Sequence, residues 1–206
     1  MVTDIGENGR ESKIRLNRRR FTLGVLIASA SGAFASLFAL LNDLVPEKKG
    51  GGYVATTRPG DRLVYARGDN AGAPLRAFSF KVGDAVLAFP DSKFSNPANL
   101  VQVIKLEETK FTPPTRLDLT DQGFVAYSAI CTHLGCTVSW EKNQQVPAAS
   151  LTECPCHNSI FDPARGAKVL AGPAPIPLAQ IGVKVAKDGS LVFTSDFTGP
   201  IGPQVS

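Results

Sequence analysis

Two hexapeptides in the second half of the 206-residue chain contain all four of its cysteines and both of its histidines. The first reads CTHLGC at residues 131–136, and the second reads CPCHNS at residues 154–159. Thiols and histidines that only fill a core or satisfy a surface have no need to cluster in this way. The two loops are therefore the first candidates for a functional site, and the fold has to hold both.

Three kinds of site use cysteine and histidine. A structural zinc site usually takes two cysteines or two histidines a few residues apart, whereas each loop here places one cysteine close to one histidine, and zinc would leave two cysteines without a role. Two disulfides would use all four thiols but would not explain the histidines. A [2Fe–2S] cluster with two cysteines on one iron and two histidines on the other needs one of each residue from each loop, and the loops supply that set.

The loops closely resemble those of the Rieske iron–sulfur protein of cytochrome bc complexes, which read C-T-H-L-G-C and C-P-C-H-x-S. The resemblance extends to the stretch GPAPIP at residues 172–177 and to the N-terminal segment described below. It implies a Rieske-type [2Fe–2S] cluster held by four ligands, which are Cys131 and Cys154 on one iron and His133 and His157 on the other. It also implies a disulfide between Cys136 and Cys156, which fits an exported domain.

The same resemblance implies roles for the neighbouring residues. His157 would hydrogen-bond a quinol hydroxyl and accept its proton, and three residues would shape the docking face of the cluster, namely Leu134, Gly135 and Pro173. Ser159 would donate a hydrogen bond to a bridging sulfide, whereas Phe161 stands where high-potential relatives have a tyrosine that donates to a cysteine sulfur. Because such bonds raise the potential, we expect a value below the top of the family's range and menaquinol as a fitting low-potential quinol.

The N-terminal part of the chain predicts a membrane anchor. Residues 21–41 carry no charge, and as a helix they would span ~31 Å, close to the hydrocarbon thickness of a bilayer. Residues 1–20 have six basic against three acidic side chains, which places the N-terminus in the cytoplasm and the rest of the chain on the external face of a bacterial cell membrane. A cleaved signal peptide is the alternative, because small-residue sites occur at residues 28–30 and 33–35.

Two further signals flank the apolar run. The sequence RRRFTL at residues 18–23 resembles the twin-arginine motif R-R-x-F-x-L, an export signal that a receptor reads. Residues 42–52 predict a flexible hinge linker, because Pro46 ends a helix and three glycines follow it.

Residues 53–206 predict an all-β domain. Short runs of strand-forming residues alternate with turn residues, and the runs are 61–66, 75–80, 85–90, 100–107, 116–120, 124–130, 136–141, 167–171, 181–186 and 190–194. Asp188-Gly189 indicates a hairpin turn between the last two runs. We expect the Rieske fold, with antiparallel sheets, a cluster-binding subdomain inserted near residues 126–178, and the proline-rich residues 172–177 as a stiff covering loop.

The resemblance implies the electron-transfer subunit of a quinol:cytochrome c oxidoreductase, which does not turn over alone. Such a subunit takes one electron from quinol bound to a membrane b-type cytochrome and passes it to a c-type cytochrome of the respiratory chain. The alternatives are a Rieske small subunit of another exported oxidoreductase, such as arsenite oxidase, and a soluble exported electron-transfer protein.

Counting and charge argue against two other classes of protein. A Rieske oxygenase needs a second iron site, commonly two histidines and a carboxylate, and no histidine remains once the cluster is built. The net charge is +4, but residues 1–20 carry +3 of it. A nucleic-acid partner is therefore not expected, because it would need a basic face on the folded part.

Overall fold

The computed structural model describes residues 53–142 and 150–204. The predicted export signal, membrane helix and hinge linker within residues 1–52 lie outside the described residues. Across the described ranges, no helix is long and apolar enough to cross a membrane.

The first sheet has six antiparallel strands in the order β1-β2-β3-β4-β9-β10. Its strands are β1 (Leu63–Tyr65), β2 (Ala85–Pro90), β3 (Val101–Lys105), β4 (Phe124–Ser128), β9 (Gln180–Val185) and β10 (Leu191–Phe197). Strands β4 and β9 are neighbours in this sheet although they are far apart in sequence, since Ala126 pairs with Ile181. The chain between them therefore leaves the sheet and returns to it.

The excursion forms the second sheet, which has four antiparallel strands in chain order. They are β5 (Ser139–Lys142), β6 (Ser150–Cys154), β7 (Ser159–Asp162) and β8 (Lys168–Ala171). The helical elements of the described ranges are short 3-10 turns, at Ala77–Ser79, Pro97–Asn99, Glu108–Lys110, Leu117–Leu119 and Pro163–Arg165. The all-β fold with an inserted subdomain is thus confirmed.

Strand β4 is buried on both faces, and this joins the two halves of the domain. Phe124 and Ala126 pack into one apolar core together with residues of β1, β3, β9 and β10. Val125 and Tyr127 point the opposite way, as alternate residues of a strand do, and pack into a second core that contains Cys131 and Phe161. The strand that leads into the first hexapeptide is therefore fixed from both sides.

Two predicted strands are wrong. Within residues 75–80, Ala77–Ser79 form a 3-10 turn. A strand would place Phe78 and Phe80 on the same face, but Phe80 is buried while Phe78 is 84% exposed. Within residues 116–120, Leu117–Leu119 form another 3-10 turn. The buried Gln180 side chain bonds both the backbone N–H and the backbone carbonyl of Arg116, at 2.9 Å each, and so replaces strand pairing there.

The strands β6 and β7 were not expected from the sequence, whereas the hairpin turn at Asp188-Gly189 is confirmed. That turn closes with a bond from Gly189 N–H to the Ala186 carbonyl at 2.8 Å, and Leu191 then pairs with Val185. Gly189 has a φ of +78°, a value that glycine adopts without strain.

Candidate metal centre

The first hexapeptide forms a closed turn beyond β4. The Cys131 N–H donates to the Cys136 carbonyl at 2.8 Å, and the Gly135 N–H donates back to the Cys131 carbonyl at 3.0 Å. Gly135 has a φ of +82°, so the turn needs a residue without a side chain at this point. We call residues 131–136 cluster loop 1.

The second hexapeptide is the hairpin connection between β6 and β7. Cys154 is the last residue of β6 and Ser159 the first of β7, and the two pair across the ladder. The Asn158 N–H donates to the Cys154 carbonyl at 2.9 Å, and Asn158 takes a φ of +55°, which asparagine tolerates better than most residues. We call residues 154–159 cluster loop 2.

A disulfide between Cys136 and Cys156 joins the two loops, with Cα atoms 6.6 Å apart. It is the pair that the sequence resemblance implies. The disulfide leaves Cys131 and Cys154 as free thiols, and both are buried. The Cys154 sulfur lies within 4.8 Å of both disulfide sulfurs, but a disulfide has no thiolate to offer a metal, so the free thiols are the candidate ligands.

The environment of the free thiols favours a metal over a reactive cysteine. Burial, with a smaller effect from the neighbouring Cys154 thiol, raises the pKa of Cys131 to about 11 although the backbone N–H groups of His133 and Leu134 lower it. A thiol with so high a pKa is a poor nucleophile near neutral pH. A bound metal ion, in contrast, deprotonates its thiol ligand outright.

The rings of His133 and His157 lie in edge-to-face contact. Their ring centroids are 4.8 Å apart, with planes at 85°. The Nδ1 atom of His133 is buried and has no hydrogen-bond partner among the described residues. An unpaired buried polar atom costs ~1–3 kcal/mol, and coordination of a metal ion would remove that cost. Two buried thiols and two adjacent imidazoles, one with an orphaned nitrogen, fit a cluster with mixed ligands.

The proline-rich stretch packs against both loops. The Thr132 hydroxyl donates to the Ile176 carbonyl at 2.7 Å, and the Ala174 N–H donates to the Ser159 hydroxyl oxygen at 3.1 Å. Gly172 approaches so closely that a Cβ atom there would lie 2.4 Å from the Ser159 Cα. Our sequence analysis did not single out Thr132 or Gly172. The sequence does contain a signal for each of them, because Thr132 is a polar residue between the candidate ligands Cys131 and His133, and Gly172 directly precedes the proline-rich residues.

The remaining predicted site residues fall into two groups. Ser159, the last residue of cluster loop 2, and Phe161 on β7 are fully buried. Leu134 is 64% exposed, and His157 and Pro173 are also exposed, while Gly135 is half-buried. Leu134, His157 and Pro173 are therefore accessible from solvent.

Comparison with known proteins gives the family. A model of the Rieske [2Fe–2S] domain matches residues 94–182. The Rieske iron–sulfur subunit of the cytochrome bc1 complex of Streptomyces lividans is 37% identical over 142 residues, which cover 65% of this chain and 81% of that protein. The corresponding subunit of Streptomyces coelicolor is 32% identical over 216 residues; the match covers 97% of this chain, which spans only 56% of that relative's length.

A third relative is named as a subunit of a different enzyme. The putative Rieske subunit of a respiratory nitrate reductase of Haloferax mediterranei is 32% identical over 197 residues, which cover 94% of this chain and 83% of that protein. The fold and the paired cysteine and histidine loops define an iron–sulfur domain. The chain belongs to the Rieske [2Fe–2S] protein family. Its cofactor is a [2Fe–2S] cluster.

Proposed function

We propose that the chain is the electron-transfer subunit of a quinol:cytochrome c oxidoreductase and that four residues hold its cluster, namely Cys131, Cys154, His133 and His157. The observation that carries the proposal is that the two loops contain, among the described residues, a buried His133 Nδ1 without a hydrogen-bond partner and two buried free thiols. The bound cluster supplies one-electron transfer at a potential that its histidine ligands raise above that of all-cysteine ferredoxins.

His157 is the residue of the pair that can meet a substrate. Its side chain is exposed, so the ring nitrogen that is not used for the metal can meet a quinol hydroxyl, and in its deprotonated form it can accept a hydrogen bond from that hydroxyl and then its proton. Leu134 and Pro173 provide the apolar surroundings that a quinol ring needs and keep water away from the proton in transfer. A quinol that is being oxidised would thus give one of its protons to His157 of this chain.

The relatives and the N-terminal sequence support the proposed partners. Two relatives are named as subunits of the cytochrome bc1 complex, which supports a membrane b-type cytochrome on the donor side and a c-type cytochrome on the acceptor side. The uncharged residues 21–41 support a single-pass anchor that leaves the Rieske domain on the external face. Phe161 lacks the hydroxyl that would raise the potential of the cluster, and this supports the low-potential menaquinol as donor.

Purification of the tagged full chain from its native membranes tests this function. We expect haem b and haem c to co-purify, and the preparation to reduce cytochrome c with quinol. The variant His157→Gln should lose this activity, while Asn158→Gly, next to it in the same loop and also exposed, should retain most of it, because glycine adopts the φ of +55° at this position without strain. Absence of both haems from a cluster-containing preparation would contradict the proposal.

The relative from Haloferax mediterranei supports a second candidate, a Rieske subunit of a different respiratory oxidoreductase. The same purification separates the two candidates. Co-purification of a molybdenum enzyme without haem b would favour the second.

A further inference from the structure

Tyr53 lies against cluster loop 1 although it is far from that loop in sequence. It pairs with Ile201 in an isolated antiparallel bridge, and its half-buried ring packs against the apolar core that contains Ile130 and Cys131, as does the half-buried Cys136. The described chain thus begins beside the metal centre.

Two glycines make room for the Tyr53 ring. A Cβ atom on Gly135 would lie 2.6 Å from the Tyr53 hydroxyl oxygen and 3.3 Å from Cζ. A Cβ atom on Gly202 would lie 2.5 Å from Cδ2 and 2.8 Å from Cε2. Separations under about 3 Å are shorter than close packing tolerates. One edge of the ring is therefore in direct contact with the backbone of both glycines.

The contact at Gly135 can affect the conformation of cluster loop 1. Its N–H closes the turn onto the Cys131 carbonyl at 3.0 Å, and this turn carries the backbone N–H groups of His133 and Leu134, which lower the pKa of the Cys131 thiol. Hydrogen bonds to cluster sulfurs raise the reduction potential. Gly135 also precedes Cys136, one half of the disulfide.

We propose that Tyr53 is a positioning residue for the cluster, whose ring braces the turn at Gly135 and so keeps the loop 1 N–H groups directed at the Cys131 sulfur. The inference rests on the proposed ligand set, because that set makes the Cys131 sulfur part of the cluster. The bracing role depends on the packing of the Tyr53 ring. The hydroxyl group is not required.

The test compares three variants of the full-length, cluster-loaded protein. Tyr53→Ala removes the ring, Tyr53→Phe keeps it, and Val54→Ala truncates the neighbouring side chain, which is 74% exposed. We expect Tyr53→Ala to lower the midpoint potential and change the g-values of the reduced protein, while Tyr53→Phe and Val54→Ala match the wild type. Equal shifts in Tyr53→Phe and Tyr53→Ala, or no shift in either, would overturn the proposal.

The disulfide gives a second readout that needs no cluster. Because Gly135 adjoins Cys136, loss of the brace should let dithiothreitol reduce the Cys136–Cys156 disulfide about tenfold faster in Tyr53→Ala than in Tyr53→Phe, measured by alkylation and mass spectrometry. This readout decides the case if Tyr53→Ala does not retain its cluster. Equal rates would overturn the proposal.

A steric cycle tests the contact itself. Gly135→Ala places a methyl group against the Tyr53 hydroxyl and strains a backbone with a φ of +82°. The strain is the same in any background, but Tyr53→Phe removes the nearest atom. Gly135→Ala should therefore reduce stability less in the Tyr53→Phe background than in the wild type, and equal losses would refute the contact.

These experiments separate the two levels of the argument. A wild-type protein without the spectrum of a mixed-ligand cluster would contradict the proposed function, while the disulfide rates and the steric cycle would still decide the bracing role of Tyr53. A normal wild-type spectrum with an unaltered Tyr53→Ala protein would contradict the bracing role alone.

Discussion

The hydrogen bonds available to single buried side chains set the expected potential of the cluster. The Ser159 oxygen accepts from the Ala174 N–H at 3.1 Å, and this geometry leaves the hydroxyl hydrogen for a cluster sulfur. Phe161 lies fully buried two residues further along β7 and offers no donor. We therefore expect one side-chain donor at the cluster where high-potential relatives have two.

The variant Phe161→Tyr should raise the midpoint potential. A hydrogen bond to a charged group contributes ~1.5 kcal/mol, and for one electron this corresponds to about 65 mV. A redox titration followed by electron paramagnetic resonance measures the shift. Phe193→Tyr adds the same hydroxyl to the other core and should leave the potential unchanged. An unaltered potential in Phe161→Tyr would mean that the hydroxyl does not reach a sulfur.

Gly172 should tolerate no side chain. Gly172→Ala combines a φ of +86° with a Cβ atom 2.4 Å from the Ser159 Cα, so we expect a loss of ~3 kcal/mol, part from backbone strain and part from overpacking. Gly189→Ala is the matched control, because its φ is +78° but no atom lies within 4 Å of the added Cβ. Denaturant unfolding should show a loss of only ~1 kcal/mol for the control. Equal losses would refute the close packing of the proline-rich loop on cluster loop 2.

At the scale of elements, polar contacts fasten the second sheet to the first. The Thr152 hydroxyl on β6 donates to Gln102 Oε1 on β3 at 2.6 Å. The Trp140 Nε1–H on β5 donates to the Gly83 carbonyl, and the Tyr127 hydroxyl on β4 donates to the Pro163 carbonyl, both at 2.9 Å. Since these groups are wholly or partly buried, each bond also fixes the orientation of the loops that carry the candidate ligands.

The variant Tyr127→Phe should show how much one of these bonds contributes. Burial raises the pKa of Tyr127 well above its usual range, so the folded state favours the neutral phenol. The contribution of this phenol to the free energy of unfolding is complete below the ordinary tyrosine pKa of about 10. It is lost as pH rises from there through the higher pKa of the folded state.

Unfolding at neutral pH should therefore show Tyr127→Phe ~1 kcal/mol less stable than the wild type, and the gap should narrow above about pH 10. Tyr65→Phe, on the half-buried edge of β1, serves as the control. A gap that widens with rising pH would contradict the burial argument.

The elements also show what the sequence can and cannot predict. The run 85–90 is β2 residue for residue, because its apolar side chains are bounded by turn residues. Residues 150–154 and 159–162 form strands on either side of residues 155–158, whose composition is typical of a loop. Both strands are too short and too polar to show the two-residue period of a strand. The 3-10 turn after Arg116 depends on Gln180, which comes 64 residues later, and no local pattern reveals such a partner.

The candidate site was more predictable than the fold, because ligand chemistry restricts residue types and spacing. The clustering of cysteine and histidine in two loops pointed to the site without knowledge of any contact. The supporting residues Thr132, Gly172 and Tyr53 depend on contacts across the fold, so their roles emerge only in three dimensions. The four cluster ligands stay a prediction until they are tested spectroscopically.

At the scale of the whole molecule, the proposed function requires one cluster to meet two partners. The sequence predicts that residues 42–52 give the domain this freedom, since Gly50–Gly52 lie at the end of that segment. Replacement of the three glycines by prolines should slow quinol-dependent reduction of cytochrome c and leave the cluster spectrum intact. Replacement by three serines, which keeps the segment flexible, should preserve the rate. Unchanged turnover in the proline variant would argue for a fixed domain or for a partner that moves instead.

The central claim is the set of four ligands, and electron paramagnetic resonance of the reduced protein with ¹⁵N-labelled histidine tests it most directly. The account predicts the low mean g-value of a cluster with mixed cysteine and histidine ligands and hyperfine coupling to two histidine nitrogens. His133→Ser and Cys154→Ser should each abolish the signal, because the described residues offer no spare thiol or imidazole beside the disulfide. A reduced protein without nitrogen coupling, or a Cys154→Ser variant with the wild-type spectrum, would contradict it.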